Sequence, residues 1–235
     1  MAGTAERAGA VAVVVPAYQA EATIADVIAR TRAAVPGAAL YVVDDGSRDH
    51  TQAAATGAGA CVLGHARNQG KGAALASGIR RALADGADVV VTLDADRQHP
   101  PEDIPRLVAP VRGGEADLVL GARARAGTMP WGRRGTNWLS ATLASRLTRE
   151  VVEDAQSGFR AFTRAVATAV QPGERRYDYE TAFLLGALAA GFRVRSVPIP
   201  TIYDGAASHF RPWSDTWRLA RVFLRYRRAI LRGHS

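Results

Sequence analysis

Between Ala10 and Gly121 short apolar runs alternate with longer segments in which apolar residues recur at helical spacing. Val11 to Val15, Ala39 to Val43, Ala60 to Leu63, Val89 to Leu93 and Asp117 to Leu120 are rich in β-branched residues and bounded by turn formers, which predicts strands. The stretches near Ala22 to Ala34, Thr51 to Gly57, Gly72 to Ala84 and Pro101 to Val111 predict helices. Strands that are apolar throughout, each followed by a crossover helix, imply a mostly parallel sheet covered on both faces. Ligands of such sheets bind beyond the carboxyl ends of the strands. The polar clusters fall at those ends: Pro16-Ala17-Tyr18, Asp44-Asp45-Gly46-Ser47 and Asp94-Ala95-Asp96.

After Gly121 the pattern changes. An arginine- and glycine-rich segment from Arg123 to Gly135 precedes a predicted helix over Thr136 to Leu147. A polar turn (Asp154 to Gly158), a helix (Tyr179 to Ala190) and a strand (Arg193 to Val197) follow with no linker between them. From Trp217 to Leu231, the residues Leu219, Val222, Phe223, Tyr226 and Ile230 share one helical face and most arginines lie off it, the pattern of a basic amphipathic helix. Such a helix fits either an anionic leaflet or the domain's own surface.

With 235 residues, 48% of them hydrophobic, the chain can bury one substantial core. Its longest apolar stretch, Thr181 to Phe192, is short of the roughly 20 residues a membrane-crossing helix needs. Met1 to Ala10 has no apolar region of the kind that marks a secretory signal, and a cytoplasmic protein is expected. The single cysteine, Cys61, sits in an apolar run and reads as a core thiol. The net charge of +8 comes almost wholly from arginine, because Lys71 is the only lysine. That charge suits a phosphorylated substrate or an anionic membrane surface. A nucleic-acid partner is not expected, since neither aromatic interleaving nor helix-turn-helix or zinc spacing is present.

Two carboxylates one residue apart at a strand end repel each other unless a cation lies between them. Mg²⁺ or Mn²⁺ suits Asp94 and Asp96, being oxygen-preferring and commonly held by one or two carboxylates plus substrate phosphates. Gln98 and His99 stand next in line as ligands. A solvated turn that caps the helix starting at Pro101 would use the same residues. Gly70-Lys71-Gly72 opens a helix, where free N–H groups and the ammonium favour an anion. A dinucleotide-dependent oxidoreductase is disfavoured, because the first strand runs into Pro-Ala-Tyr with no glycine-rich turn.

Taken in order, the clusters resemble the family-2 inverting glycosyltransferases of GT-A fold, and among them the polyprenyl-phosphate (dolichyl-phosphate) mannose and glucose synthases. The matching residues are Val13 to Tyr18 with Glu21, Val43 to Ser47, Asn68-Gln69-Gly70-Lys71-Gly72, Asp94 to His99, Gly121-Ala122-Arg123 and Asp154 to Phe162. The resemblance implies an α/β, Rossmann-like sheet flanked by helices, with residues 1–212 as the transferase domain and 213–235 as a basic helical tail. Residues 10–121 would form the nucleotide-sugar half, residues 122–212 the acceptor half.

It also implies roles. Pro16, Ala17, Tyr18, Glu21, Asp44, Asp45, Lys71, Asp94, Ala95 and Asp96 would surround a nucleotide sugar of the GDP-mannose or UDP-glucose type. Tyr18 would stack on the base, Asp44 accept from a base N–H, and Glu21 lie near the ribose. Asp96 and Gln98 would hold Mg²⁺ or Mn²⁺, with Asp94 facing the donor. Arg123 and Arg134, or its neighbour Arg133, would contact phosphates, and Arg160 would close the acceptor side. Acceptor candidates are Arg133, Ser157, Glu180 and His209.

The implied acceptor is a polyprenyl phosphate, reached peripherally on the inner membrane face. A soluble acceptor is the alternative, because Gln156 stands where many synthases carry threonine and Ala207 to Pro212 departs from their late segment. A nucleotidyltransferase is the more distant enzyme alternative.

Overall fold

A computed structural model describes residues 9–123, 154, 156–174, 176, 178–200 and 226, with only the backbone of Arg123. The strands are β1 (Val11–Ala17), β2 (Ala39–Asp44), β3 (Cys61–Gly64), β4 (Val89–Thr92), β5 (Leu118–Arg123), β6 (Arg160–Thr163) and β7 (Val194–Ile199). Among the described residues the helices are α1 (Ile24–Ala34), α2 (Thr51–Gly57), α3 (Lys71–Ala84), α4 (Ile104–Arg112), α5 (Arg164–Ala169) and α6 (Tyr179–Ala189). A 3₁₀ turn at Pro101–Asp103 leads into α4.

The strands form one sheet in the order β3-β2-β1-β4-β6-β5-β7. All pairings are parallel except those of β6, which runs antiparallel to both β4 and β5. Chain order reverses beside β1, since β2 lies on one side of it and β4 on the other, and such a switch point opens a crevice at the carboxyl ends.

Because successive side chains of a strand point to opposite faces, the sheet feeds two cores. Ala12, Val14, Tyr41, Val43, Val90, Leu118, Leu120 and Phe162 pack with residues of α3, α5 and α6. Val13, Val15, Val42, Val91, Val119 and Ala161 pack with α1 and α4 on the other face. Helix α6 is buried nearly all round, which is why its sequence is apolar without a polar stripe. Helix α3 lies tight on the sheet at Gly78, where any Cβ would overlap Val14 Cγ1 and stand 3.0 Å from Val43 Cγ2.

The expected strands and helices of the first half are present. Two elements were not anticipated, β6 and α5. Strand β6 follows a polar turn and holds Arg160, so its alternation reads as a loop with two aromatic anchors. Both of those anchors, Phe159 and Phe162, are fully buried. The expectation of a buried Cys61 is wrong: its thiol is exposed. Among the described residues, β3 is a four-residue edge strand paired with β2 alone, and its side chains gain little cover.

No helix among the described residues is long and apolar enough to cross a membrane. Of the expected tail, only Tyr226 is described; it is helical and packs against the α6 face of the core. The Arg123 to Gly135 segment beyond Arg123's backbone, the expected helix over Thr136 to Leu147 and the rest of the tail lie outside the described residues.

Candidate active site

Strand β1 ends in register with β2, Pro16 opposite Val43 and Ala17 opposite Asp44. Pro16 and Ala17 are buried, whereas Tyr18, just past the strand, is 49% exposed, alone among the described large hydrophobic residues. Gln19 adopts a positive φ of 52° and its side-chain oxygen accepts from the backbone N–H of Arg48 and Asp49. Glu21 accepts from the N–H of His50, while its own N–H donates to Asp49. The turn after β1 and the turn after β2 therefore brace each other beneath the exposed phenol.

The two aspartates after β2 part company. Asp44 Oδ1 accepts from the N–H of Ser47 in its own turn. Asp45 turns to the segment after β3: Oδ1 accepts from the N–H of Gln69 at 2.9 Å, Oδ2 from that of Gly70 at 2.7 Å. His65 Nδ1 lies 2.7 Å from the same Oδ1, and its Nε2 lies 3.0 Å from Ser77 Oγ. Gly46, at φ 72°, has no room for a Cβ, which would stand 2.5 Å from the backbone carbon of Arg67. Asp45 thus fixes the loop that delivers Lys71 to the start of α3.

Lys71 does not point into open space. Its Nζ lies 2.7 and 2.9 Å from the two oxygens of Asp94 and 2.7 Å from Oε1 of Glu180. Asp94 follows β4, while Glu180 sits in the first turn of α6, from the second half of the chain. Antiparallel β6 makes the meeting possible, because its entry turn lies at the same sheet edge as the exit of β4, with Thr92 opposite Arg160. Thr92 Oγ1 donates to the carbonyl of Gly158 at 2.7 Å. Gly158 itself backs the cluster: a Cβ there would lie 2.8 Å from both Asp94 oxygens and 2.9 Å from Lys71 Nζ.

Arg160 is buried beneath this group and donates from Nε to the carbonyl of Ser157 and from Nη1 to that of Glu180. Ser157 is buried and its Oγ accepts from the N–H of Phe159. Asp154, also buried, accepts from the N–H of Gln156.

Electrostatics follow from this packing. Burial opposes a charge on Lys71, but the carboxylates of Asp94 and Glu180 outweigh it and raise its pKa. Although Asp96 reaches solvent, desolvation and the negative charge of Asp94 push its carboxyl up. A cation beside Asp96 would relieve that repulsion. Asp96 Oδ1 accepts from the N–H of Gln98, which keeps Gln98 close to it in the same turn. Ala95 is buried between the two carboxylates, and buried His99 lies against Phe159 with ring centroids 5.7 Å apart.

The donor set suits a hard divalent ion held by one carboxylate and an amide oxygen. Among the described residues, no group of three or more His, Cys, Asp or Glu side chains could enclose a metal. An ion at Asp96 would take its remaining ligands from substrate phosphates or water.

Of the expected site residues, the fold gathers Pro16, Ala17, Tyr18, Glu21, Asp44, Asp45, Lys71, Asp94, Ala95, Asp96, Gln98, Ser157, Arg160 and Glu180 at one edge of the sheet or directly beneath it. The side chain of Arg123 and the residues Arg133, Arg134 and His209 lie outside the described residues. Sequence reasoning missed Gly158 and His65. Gly158 carried a signal, as a glycine inside a matched motif requires a close approach; His65 carried none.

Comparison with known proteins identifies the family and the fold. Residues 12–170 match the family model described as "Glycosyl transferase family 2". The chain is 31% identical to the polyprenol monophosphomannose synthase of Mycolicibacterium smegmatis over 80% of its own length and 75% of the relative's. It is 35% identical to an undecaprenyl-phosphate 4-deoxy-4-formamido-L-arabinose transferase of Pseudomonas aeruginosa, covering 85% of this chain but 55% of that one. Among solved structures, the glucosyl-3-phosphoglycerate synthase of Mycobacterium tuberculosis in complex with Mn²⁺, UDP and phosphoglyceric acid superposes with a TM-score of 0.74 at 27% identity. That match covers 94% of this chain and 79% of the other.

Proposed function

The chain belongs to glycosyl transferase family 2, and from that premise we propose that it transfers a hexose from a nucleotide sugar to a polyprenyl phosphate, with inversion by direct displacement at the anomeric carbon. The observation that carries the reading is the paired carboxylate at the end of β4. Asp94 is neutralised by Lys71, whereas Asp96 is open to solvent and raised in pKa, on the sheet edge that also bears Tyr18 and Asp44. Relatives named as acting on polyprenyl or undecaprenyl phosphates support the acceptor class.

In this reading Tyr18 stacks on the base, Asp44 accepts from a base N–H and Glu21 lies near the ribose. Asp45 acts at one remove by fixing the Gln69-Gly70 backbone. Asp96 and Gln98 hold Mg²⁺ or Mn²⁺, and Asp94 borders the donor sugar. A bound divalent ion supplies positive charge against the negative charge developing on the departing nucleoside diphosphate. Arg123 and Arg134, or Arg133, take phosphate oxygens, a task suited to a fixed forked cation. Arg160 acts through the carbonyls it holds, setting the positions of Ser157 and Glu180. A phosphate acceptor is already ionised at neutral pH and needs no general base. The basic tail would meet an anionic leaflet where that lipid resides.

A second reading, with a soluble phosphorylated acceptor, is favoured by the likeness to glucosyl-3-phosphoglycerate synthase over nearly the whole chain. A hydroxyl acceptor would need a proton acceptor, and Asp154, Asp178, Glu180 and His209 are the candidates.

Labelled GDP-mannose and UDP-glucose, incubated with Mn²⁺ and either undecaprenyl phosphate or phosphoglycerate, separate the readings. Label moving into the organic phase with release of nucleoside diphosphate is expected. Label confined to a water-soluble product establishes the second reading, and release of pyrophosphate overturns both.

A further inference from the structure

We infer that His65 is a positioning residue for donor binding: its imidazole ties Asp45 to Ser77 of α3 and so holds the Gln69-Gly70-Lys71 segment in the geometry that receives a nucleotide. The inference rests on the nucleotide-sugar reading above and assigns a role to a side chain which that reading leaves unused.

Asp45 joins three parts of the sheet edge. Its N–H donates to the carbonyl of Ala17 at the end of β1, at 2.8 Å. Its buried carboxylate accepts from the N–H of Gln69 and of Gly70, and Oδ1 also faces His65 Nδ1 at 2.7 Å. A carboxylate only accepts, so in the neutral ring Nδ1 carries the proton and Nε2 presents a lone pair. The Ser77 hydroxyl meets that lone pair at 3.0 Å, and Ser77 Oγ in turn accepts from Arg80 Nη2 at 3.2 Å. Donation thus runs in one direction from Arg80 through Ser77 and His65 to Asp45.

The α3 end of this series is fixed. Ser77 precedes Gly78, where α3 lies so close to β1 that an added Cβ would be 2.4 Å from Val14 Cγ1. The other end holds a backbone that relaxes if released. Gly70, just before α3, has φ 100° and ψ 153°, a conformation open in practice to glycine alone, and its N–H is the one that Asp45 Oδ2 holds at 2.7 Å. A rigid ring with nitrogens at separate corners carries the position of α3 to that carboxylate. His65 is itself set by its N–H, which donates to the carbonyl of Asp44 at 2.9 Å. Without the imidazole, a donor must order the segment as it binds, and the cost falls on affinity more than on turnover of bound donor.

Calorimetric titration of the full chain with UDP and with GDP, each in the presence of Mn²⁺, followed by kinetics with the sugar donor of the tighter nucleotide, tests this. His65→Ala should weaken nucleotide binding about tenfold while kcat at saturating donor stays within about threefold. An asparagine amide reaches the place of Nδ1 and a glutamine amide that of Nε2. His65→Asn should therefore stay within about threefold of the parent, and His65→Gln should lose about as much as His65→Ala. In the Asp45→Ala chain, adding His65→Ala should change affinity by less than about twofold, because residues that act through one bond are not additive. Unchanged binding in His65→Ala, a loss confined to kcat, His65→Asn as weak as His65→Ala, or losses that multiply in the double variant each overturn the inference and leave the nucleotide-sugar reading standing. Should His65→Ala not fold, the asparagine and glutamine variants decide alone. A parent that binds neither nucleotide overturns the reading and the inference together.

Discussion

A Cβ placed on Gly158 would lie 2.8 Å from each carboxylate oxygen of Asp94. The turn before β6 and the exit of β4 are thus in contact through an absent side chain. Gly158→Ala must move Asp94 and Lys71 together, because Nζ is only 2.9 Å from the same point. Displacing groups beside the reacting centre by about 1 Å can cost on the order of 100-fold in rate. A drop of that size in kcat/KM is expected, with far-ultraviolet circular dichroism unchanged. Activity within about twofold of the parent would mean that Asp94 and Lys71 do not set the reacting geometry.

Asp45 should behave differently from its neighbour Asp44. It takes hydrogen bonds from two backbone N–H groups and one imidazole, all from the segment that leads into α3. Asp45→Ala strands those donors, and an unsatisfied buried group costs about 1–3 kcal/mol. Chemical denaturation should show a loss of at least that size, and donor KM should rise because the loop carrying Lys71 is released. Asp44→Ala, which removes one bond inside a turn, should affect donor binding far more than the denaturation midpoint.

Tyr41 gives the fold a measurable alkaline limit. Its hydroxyl donates to Asp85 at 2.7 Å, and the Arg81 Nε donates to the same carboxylate oxygen. Burial first, and then the Asp85 carboxylate, push the phenol from an ordinary 10.0 up to about 12. The folded state keeps the phenolic proton where the unfolded chain has lost it. The contribution is therefore fully present below pH 10.0 and is lost as pH rises toward about 12. Denaturant midpoints should fall across that window, and Tyr41→Phe should flatten the fall. The same variant should cost about 0.5–1.5 kcal/mol at neutral pH through the lost hydrogen bond.

The first half of the fold was legible because its strands are apolar on both faces and its helices carry clear stripes, signals that burial writes directly into sequence. Strand β6 was not. Its four residues include a buried arginine whose partners are carbonyls from turns 3 and 20 residues away, and nothing local marks it as a strand. Cys61 misled for the opposite reason: its run is apolar, yet an edge position leaves it exposed. At the site, residue types were legible and their pairing was not. Lys71 beside glycines reads as an anion hook, and only the antiparallel return of β6 and the arrival of α6 set it between Asp94 and Glu180. Long-range pairings of this kind depend on topology, which the local pattern does not encode.

Tyr18 has the cleanest separation of binding from stability. It is a large aromatic 49% exposed at the switch point, held there by a turn whose bonds run through Gln19 and Glu21 and not through the phenol. Removing the ring should leave the thermal midpoint within about a degree, since surface changes away from packing contacts have small effects. Stacking between a base and an aromatic ring is worth about 1–3 kcal/mol. Tyr18→Ala should therefore raise the donor KM by roughly 5- to 150-fold. Tyr18→Phe keeps the ring and should remain near the parent. Steady-state kinetics against the accepted nucleotide sugar, paired with calorimetry of the free nucleotide, gives both numbers. An alanine variant with unchanged nucleotide affinity would place the base elsewhere on the sheet edge.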